Sequence, residues 1–171
     1  KEKSRMKITV NLTVKDLFTF SMYNSSSGFS GLFNLFFTAG AIFVLAVTWQ
    51  WETVSMFQRV LLILCALLFS VIQPLILYRK SQKQAKRQGF DAELEMELAD
   101  SGFRVKLGDS ACDLGWDQIW KVIRIRSMYI VKTGPTRAYL IPVRSVAGRE
   151  KELEEIFRKN LPKSKRKGLK E

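Results

Sequence analysis

Residues 32–49 read LFNLFFTAGAIFVLAVTW and residues 60–78 read VLLILCALLFSVIQPLILY, and neither stretch contains a charge. At about 1.5 Å of rise per residue, a helix over residues 32–49 is roughly 27 Å long, close to the hydrocarbon thickness of a bilayer. Both stretches are predicted to be membrane spans. The alternative is a pair of buried core helices. A chain of 171 residues leaves too little protein to wrap two helices that are apolar on every face. The averages, 47% hydrophobic and 26% charged residues, hide this partition, and a simple soluble globule is excluded.

The flanks orient the hairpin. Residues 50–59, QWETVSMFQR, carry one basic residue, whereas Arg79, Lys80, Lys83, Lys86 and Arg87 follow the second span directly. Lys1, Lys3, Arg5, Lys7 and Lys15 precede the first. The positive-inside rule then predicts a multi-pass protein with both termini in the cytoplasm and a short external loop. Trp49 and Trp51 belong at the outer interface and Tyr78 at the inner one, where amphipathic rings are favoured. A cleaved signal peptide fits poorly, because the first apolar run starts late, is long and lacks a cleavage site. Asn34 and Gln73 fall at comparable depth in an antiparallel hairpin and are predicted to hydrogen-bond across it. Pro74 has no N–H, which leaves the carbonyl of Ser70 without its helical donor.

Outside the spans the period changes to two. Leu94, Met96 and Leu98 alternate with Glu93, Glu95 and Glu97, and Phe103, Val105 and Leu107 alternate with Arg104 and Lys106; this predicts a hairpin pairing acidic with basic side chains on its wet face. Residues 111–114, 121–126, 128–132 and 138–141 read as further short strands separated by turn residues. Leu153, Ile156, Phe157 and Leu161 share one helical face, with Glu152, Glu154, Glu155, Arg158 and Lys159 assigned to the other, and Pro162 ends the helix. KSKRKGLKE at 163–171 reads as a solvated basic tail.

Before the spans, residues 6–12 alternate again, and Thr13-Val14-Lys15-Asp16 resembles a capping motif opening a short helix through Met22. An isolated amphipathic strand needs a sheet to satisfy its backbone, so the N-terminal strand is predicted to complete the sheet of the C-terminal module. The expected organisation is an N-terminal strand and juxtamembrane helix at 1–28, a transmembrane hairpin at 29–78, a basic linker at 79–90, a soluble domain at 91–162 and a tail at 163–171. The fold class is a membrane α-helical hairpin plus an α+β module. That module is predicted to be an antiparallel curled sheet or barrel of about seven short strands capped by a C-terminal helix, as in pleckstrin-homology-like (PH-like) domains.

Several segments carry a resemblance. Leu12-Thr13-Val14-Lys15-Asp16, the two spans with their basic exit, the tryptophan-led Trp116-Asp117-Gln118-Ile119-Trp120-Lys121-Val122, Tyr129-Ile130-Val131 and Leu140-Ile141-Pro142-Val143-Arg144 resemble the YcxB-like family of small bacterial membrane proteins. Val143 departs from the basic residue expected before Arg144. The resemblance implies a PH-like cytoplasmic domain in the bacterial cell membrane and assigns no chemistry.

The net charge of +12 is unevenly placed. Residues 79–90 hold five basic and no acidic side chains, while residues 91–145 hold eight of each. An excess beside the membrane and in the tail points to an anionic inner leaflet rather than to nucleic acid. Arg79, Lys80, Lys83, Lys86 and Arg87 are therefore the candidate lipid-binding residues. The absence of histidine removes Ser-His-Asp and Cys-His nucleophile systems and histidine-based zinc sites. The two cysteines, Cys65 and Cys112, make no zinc site by themselves. Asp109, Asp113 and Asp117 straddle a turn and a strand, so no metal site is expected; neither is a cofactor or a catalytic residue. Trp116 and Trp120 are expected to pack at the core or its rim. The expected function is non-enzymatic, with the cytoplasmic domain binding lipid head groups or a protein partner in a regulatory or scaffolding role. The alternatives are an accessory subunit of a membrane transport or export complex and, last, a membrane enzyme acting on lipid or peptide. The expected partners are anionic membrane lipids and a membrane-protein partner or a second copy.

Overall fold

The computed structural model describes residues 5–27, 29–51, 53–87, 94–108, 110–135 and 137–169. The sequence readings at Lys1, Lys3, Glu52, Glu93 and Asp109 lie outside these. The chain divides into two compact units: residues 1–16 with 86–171, and residues 17–85.

The first unit is built from both ends of the chain. Strand β1 (Arg5–Val10) alternates exposed and buried side chains along its whole length. It pairs antiparallel with β2 (Leu94–Ala99), Met6 opposite Leu98 and Ile8 opposite Met96. β3 (Gly102–Leu107) and β4 (Ser110–Leu114) extend the sheet in the order β1-β2-β3-β4. Its wet face is a charge ladder, with Lys7 opposite Glu97, Glu97 opposite Arg104 and Arg104 opposite Asp113. The β2–β3 turn requires Gly102, whose φ of 154° lies in the glycine-favoured region and where a Cβ would meet the Leu114 carbonyl oxygen at 2.6 Å.

A 3-10 turn, Trp116–Gln118, carries the chain out of this sheet. β5 (Lys121–Arg124), β6 (Met128–Lys132) and β7 (Ala138–Pro142) then form a second antiparallel ladder. The helix α5 (Glu150–Asn160) sends Leu153, Ile156 and Phe157 into a core shared with Met6, Ile8, Met96, Leu98, Phe103, Val122, Tyr129, Val131 and Ile141. The strand positions follow the period-two pattern closely, but two four-stranded sheets stand where a single curled sheet or closed barrel was expected. The turn at Trp116–Gln118 breaks the ladder between β4 and β5.

The tail is also more ordered than its composition suggested. Lys163–Lys165 forms a 3-10 turn, and β8 (Arg166–Lys167) pairs parallel with β5. Leu169 packs against the core. Hydropathy misses this because the open side of β5 needs backbone partners, which any residue type can supply, while long cationic stems can lie along a sheet with their heads in water.

In the second unit, α1 (Val14–Ser26) runs past the predicted end at Met22. α2 (Phe29–Thr48) is followed by a continuous helical stretch made of α3 (Met56–Leu67), a π-helical segment (Leu68–Ile72) and α4 (Gln73–Arg87). The residues at 79–87 are thus helical rather than a separate linker. Ser55 and Gln58 form a capping box at the start of α3. Gln73 alone separates the π segment from Pro74. There the ladder shifts by one residue, with Gln73 N–H reaching the Leu68 carbonyl, which accommodates a residue that cannot donate. Two helical stretches, Gly31–Thr48 and Met56–Lys86, are long and apolar enough to cross a membrane. Their side chains are not buried by the rest of the protein: Phe36 is 78% and Phe43 68% exposed. That removes the reading of α2 and α3 as core helices of a soluble domain.

Candidate functional site

Helical periodicity places Arg79, Lys80, Lys83 and Lys86 within about a third of the circumference of α4; the side chain of Arg87, the fifth candidate, lies outside the described residues. Arg79, Lys80, Lys83 and Lys86 are exposed. The opposite face carries Leu77 and Ser81. Ser81 is buried, and its hydroxyl donates to the Leu77 carbonyl at 2.9 Å, so it needs no other partner. Tyr78 is set edge-on to Phe18, ring centroids 5.5 Å apart. α4 therefore continues an apolar stretch into a one-sided cationic surface.

Asn34 Nδ2 donates to Gln73 Oε1 at 3.0 Å, and Gln73 Nε2 donates to Ser25 Oγ at 2.7 Å. Ser25, on α1, was not anticipated as the third member of this chain. The three polar groups satisfy one another beside a cavity of about 380 Å³, also lined by Met22, Thr38 and Pro74. At the other end of the hairpin, Trp49 and Trp51 are more than half exposed. The Arg59 guanidinium lies 5.9 Å from the Trp49 ring and donates to the Trp51 carbonyl at 2.9 Å.

Within the soluble unit, Thr13 and Asp16 form the expected cap: Thr13 N–H and Oγ1–H donate to Asp16 Oδ2 at 2.7 and 2.8 Å. Asp16 has a second role that the sequence reading missed. Its Oδ1 accepts from the Arg144 guanidinium at 2.8 Å, a second Arg144 nitrogen bonds Oδ2, and that nitrogen also donates to the Asn11 carbonyl at 2.8 Å. Burial, the largest single influence, pushes the Asp16 carboxyl up; the bonds from Arg144 and Thr13 together outweigh it and hold the group below the usual carboxylate range. The two motif segments containing Asp16 and Arg144, quoted separately in the sequence, thus meet at one ion pair.

A second cluster was also missed. Glu154, placed by periodicity on the wet face of α5, is buried. It accepts from Tyr129 Oη at 2.8 Å and lies 3.3 Å from Arg124 Nε, while the Arg124 guanidinium sits 4.6 Å from the Tyr129 ring centroid. Burial first, then the hydrogen bond to Glu154, pushes the Tyr129 hydroxyl well above its ordinary value. The usable signal was Arg124, which shares the inward phase of β5 with Val122 and so needs a buried acceptor.

The Asp113 carboxylate is engaged elsewhere. Asp113 pairs with Arg104, whose hydrogen bond holds its carboxyl low. The Asp117 carbonyl accepts from Lys165 Nζ at 3.3 Å. Among the described residues no group of three His, Cys, Asp or Glu side chains could hold a metal ion. Trp116 packs as expected: its indole N–H donates to the Ala99 carbonyl at 3.0 Å and its ring meets Phe157 edge-on. Trp120 does not pack, and is 53% exposed.

A fold of this kind defines a protein with two apolar helices and a sheet-rich unit built from both ends of the chain. Residues 98–159, from within β2 to the end of α5, match the family model described as YcxB-like protein, the family to which the sequence motifs pointed. No match was found among curated proteins or among solved structures.

Proposed function

We propose that this is a two-span protein of the bacterial cytoplasmic membrane with both termini inside. Its basic α4 face holds anionic lipid head groups, and its soluble unit, a PH-like module, serves a regulatory or scaffolding role without catalysis. The observation that supports the reading is α4 itself. A single helix carries the apolar run to Tyr78 and then presents Arg79, Lys80, Lys83 and Lys86 on one face, at the level where a leaflet's phosphates would lie if the apolar run fills the hydrocarbon. Each such cation is attracted to an anionic leaflet by ~1 kcal/mol.

The test replaces Lys83, Lys86 and Arg87 with Gln in the full-length protein, leaving Arg79 and Lys80 to mark the cytoplasmic side. Purified in mild detergent, the variant is expected to insert normally and to lose most of the anionic lipid that co-purifies with the wild type. Unchanged anionic enrichment would overturn the α4 assignment.

A further inference from the structure

Every sheet edge offers backbone groups that a further strand can take up, and the edges of this fold are not treated alike. β8 is two residues long and wholly cationic, β7 ends in Pro142, and β1 carries Arg5 and Lys7. Short length, proline and cationic side chains all discourage a new neighbour. β4 has none of these defences. It runs Ser110-Ala111-Cys112-Asp113-Leu114, and its register with β3 is unbroken from Phe103↔Leu114 to Leu107↔Ser110. Ser110, Ala111, Cys112 and Asp113 are all exposed, so neither face of the strand is covered there.

Leu107 and Ser110 close a two-residue loop, and such hairpins close on a pair that exchanges both backbone hydrogen bonds. Counting by twos, Cys112 and Leu114 also turn their backbone groups to β3, whereas Ala111 and Asp113 turn theirs to the open edge. Among the described residues no backbone bond reaches Ala111 or Asp113 from beyond the strand ladder. Charge selects what fits this edge. On the wet face Arg5 is bonded to Glu97 and Arg104 to Asp113, while Lys106 stands opposite the small Ala111. A second β4, antiparallel and centred on Cys112, sets Ala111 against Asp113 of the second copy, the positions whose backbone groups face the edge. The signs then alternate across the seam: Glu97, Arg104 and Asp113 of one copy are followed by Ala111, Lys106 and Glu95 of the other. Sliding the pair by two residues either way shortens it, and in one direction brings Asp113 against Asp113. An unrelated strand would match this pattern only by chance.

We propose that β4 is the edge through which two copies of this chain join, antiparallel about Cys112, into one sheet that runs from β1 of one copy to β1 of the other. The contact is isologous and closes on itself, so each copy's open strand covers the other's. The proposal rests on the sheet-rich unit and holds whether or not the α4 face binds lipid.

The test uses the full-length chain in membranes and in mild detergent. With Cys65→Ala leaving a single thiol, mild copper–phenanthroline oxidation in membranes is expected to link two copies through Cys112, which meets its own copy at the twofold axis with Cα atoms about 4.5 Å apart, within disulfide reach. Moving the thiol with Ser110→Cys and Cys112→Ala is expected to abolish the link, because those positions would lie roughly 14 Å apart. In detergent, light scattering is expected to give a dimer. Ala111→Pro removes an N–H from the open edge without breaking the β3 ladder. Ala111→Glu sets like charges against Asp113 at both ends of the pairing, yet faces Lys106 within its own chain. Each is expected to weaken the dimer, Ala111→Glu by roughly tenfold, with near-ultraviolet dichroism unchanged. A monomer at every concentration, equal linkage from positions 110 and 112, or a dimer that neither Ala111 variant weakens would overturn the proposal.

Discussion

Replacing Arg144 with methionine removes the guanidinium but keeps a side chain of similar length, and it strands a carboxylate that is only 4% exposed. Asp16 would keep its two bonds from Thr13 and lose both from Arg144. Hydrogen bonds to a charged group are each worth roughly 1.5–3 kcal/mol. The Arg144 side chain is 51% exposed, so solvent screening reduces that figure, and the expected cost is about 2 kcal/mol. Asp16→Asn is the gentler change, because an amide oxygen still accepts from Thr13 and the half-exposed Arg144 can return to water; about 1 kcal/mol is expected. The double variant should be more stable than Arg144→Met alone, since no buried charge remains.

The pH dependence follows from the sign of each shift. In the wild type the Asp16 carboxyl is held low, so its contribution is present above the ordinary carboxylate range and is lost as pH falls through the folded value. In Arg144→Met the lowering by Arg144 is gone, so the Asp16 carboxyl moves up relative to the wild type. The penalty of that variant should therefore shrink between pH 7 and pH 4. Thermal unfolding of the full chain in mild detergent, followed by tryptophan fluorescence, would read a 2 kcal/mol loss as a drop of about 10 °C. A penalty no larger than that of Asp16→Asn, or one that does not change with pH, would refute the reasoning.

Two further predictions concern placement and assembly. A reporter fused after Glu171 is expected to read cytoplasmic and one inserted beside Thr53 external; an external C-terminus would contradict the charge asymmetry on which the orientation rests. Ile8→Asp puts an unpaired charge at a buried position opposite Met96 and is expected to cost more than 3 kcal/mol, visible as proteolysis of the soluble unit. Lys7→Asp, on the wet face opposite Glu97, should cost about 1 kcal/mol or less. Equal sensitivity at the two positions would sink the assignment of β1 to this sheet.

What the sequence disclosed is what one-dimensional periodicity can carry. The alternation of Met6, Ile8 and Val10 placed β1 to within two residues, and the uncharged runs located both apolar helices. The N-terminal strand found its partner because an unpaired amphipathic strand has few other solutions. What stayed hidden depends on three-dimensional pairing. The Asp16–Arg144 bond joins residues far apart in the chain, and nothing local to either marks the other. Glu154 sits on a helix whose pattern assigns it to water, and only the facing Arg124 and Tyr129 explain its burial. Arg166 and Lys167 gain order from the open side of β5, a backbone property that side-chain composition does not encode. The trajectory of α4 beyond Tyr78 was likewise lost, since a run of cations reads as a linker until the helix beneath it is known.

The interruption of the soluble unit by the hairpin has an energetic consequence. β1 and β2 share the ladder from Arg5↔Ala99 to Val10↔Leu94, yet a loop of roughly eighty residues separates them. Closing a flexible loop of that length costs about 4 kcal/mol, a large share of the stability of a small domain. α1 to α4 convert most of that loop into helix, which reduces the freedom that closure must overcome. The Asn34–Gln73–Ser25 chain ties α2, α4 and α1 together. Weakening these helices is therefore expected to raise the entropic cost of pairing β1 with β2, read as lower thermal stability of the sheet. The helices between β1 and β2 thus shorten the loop that the pairing of these two strands must close.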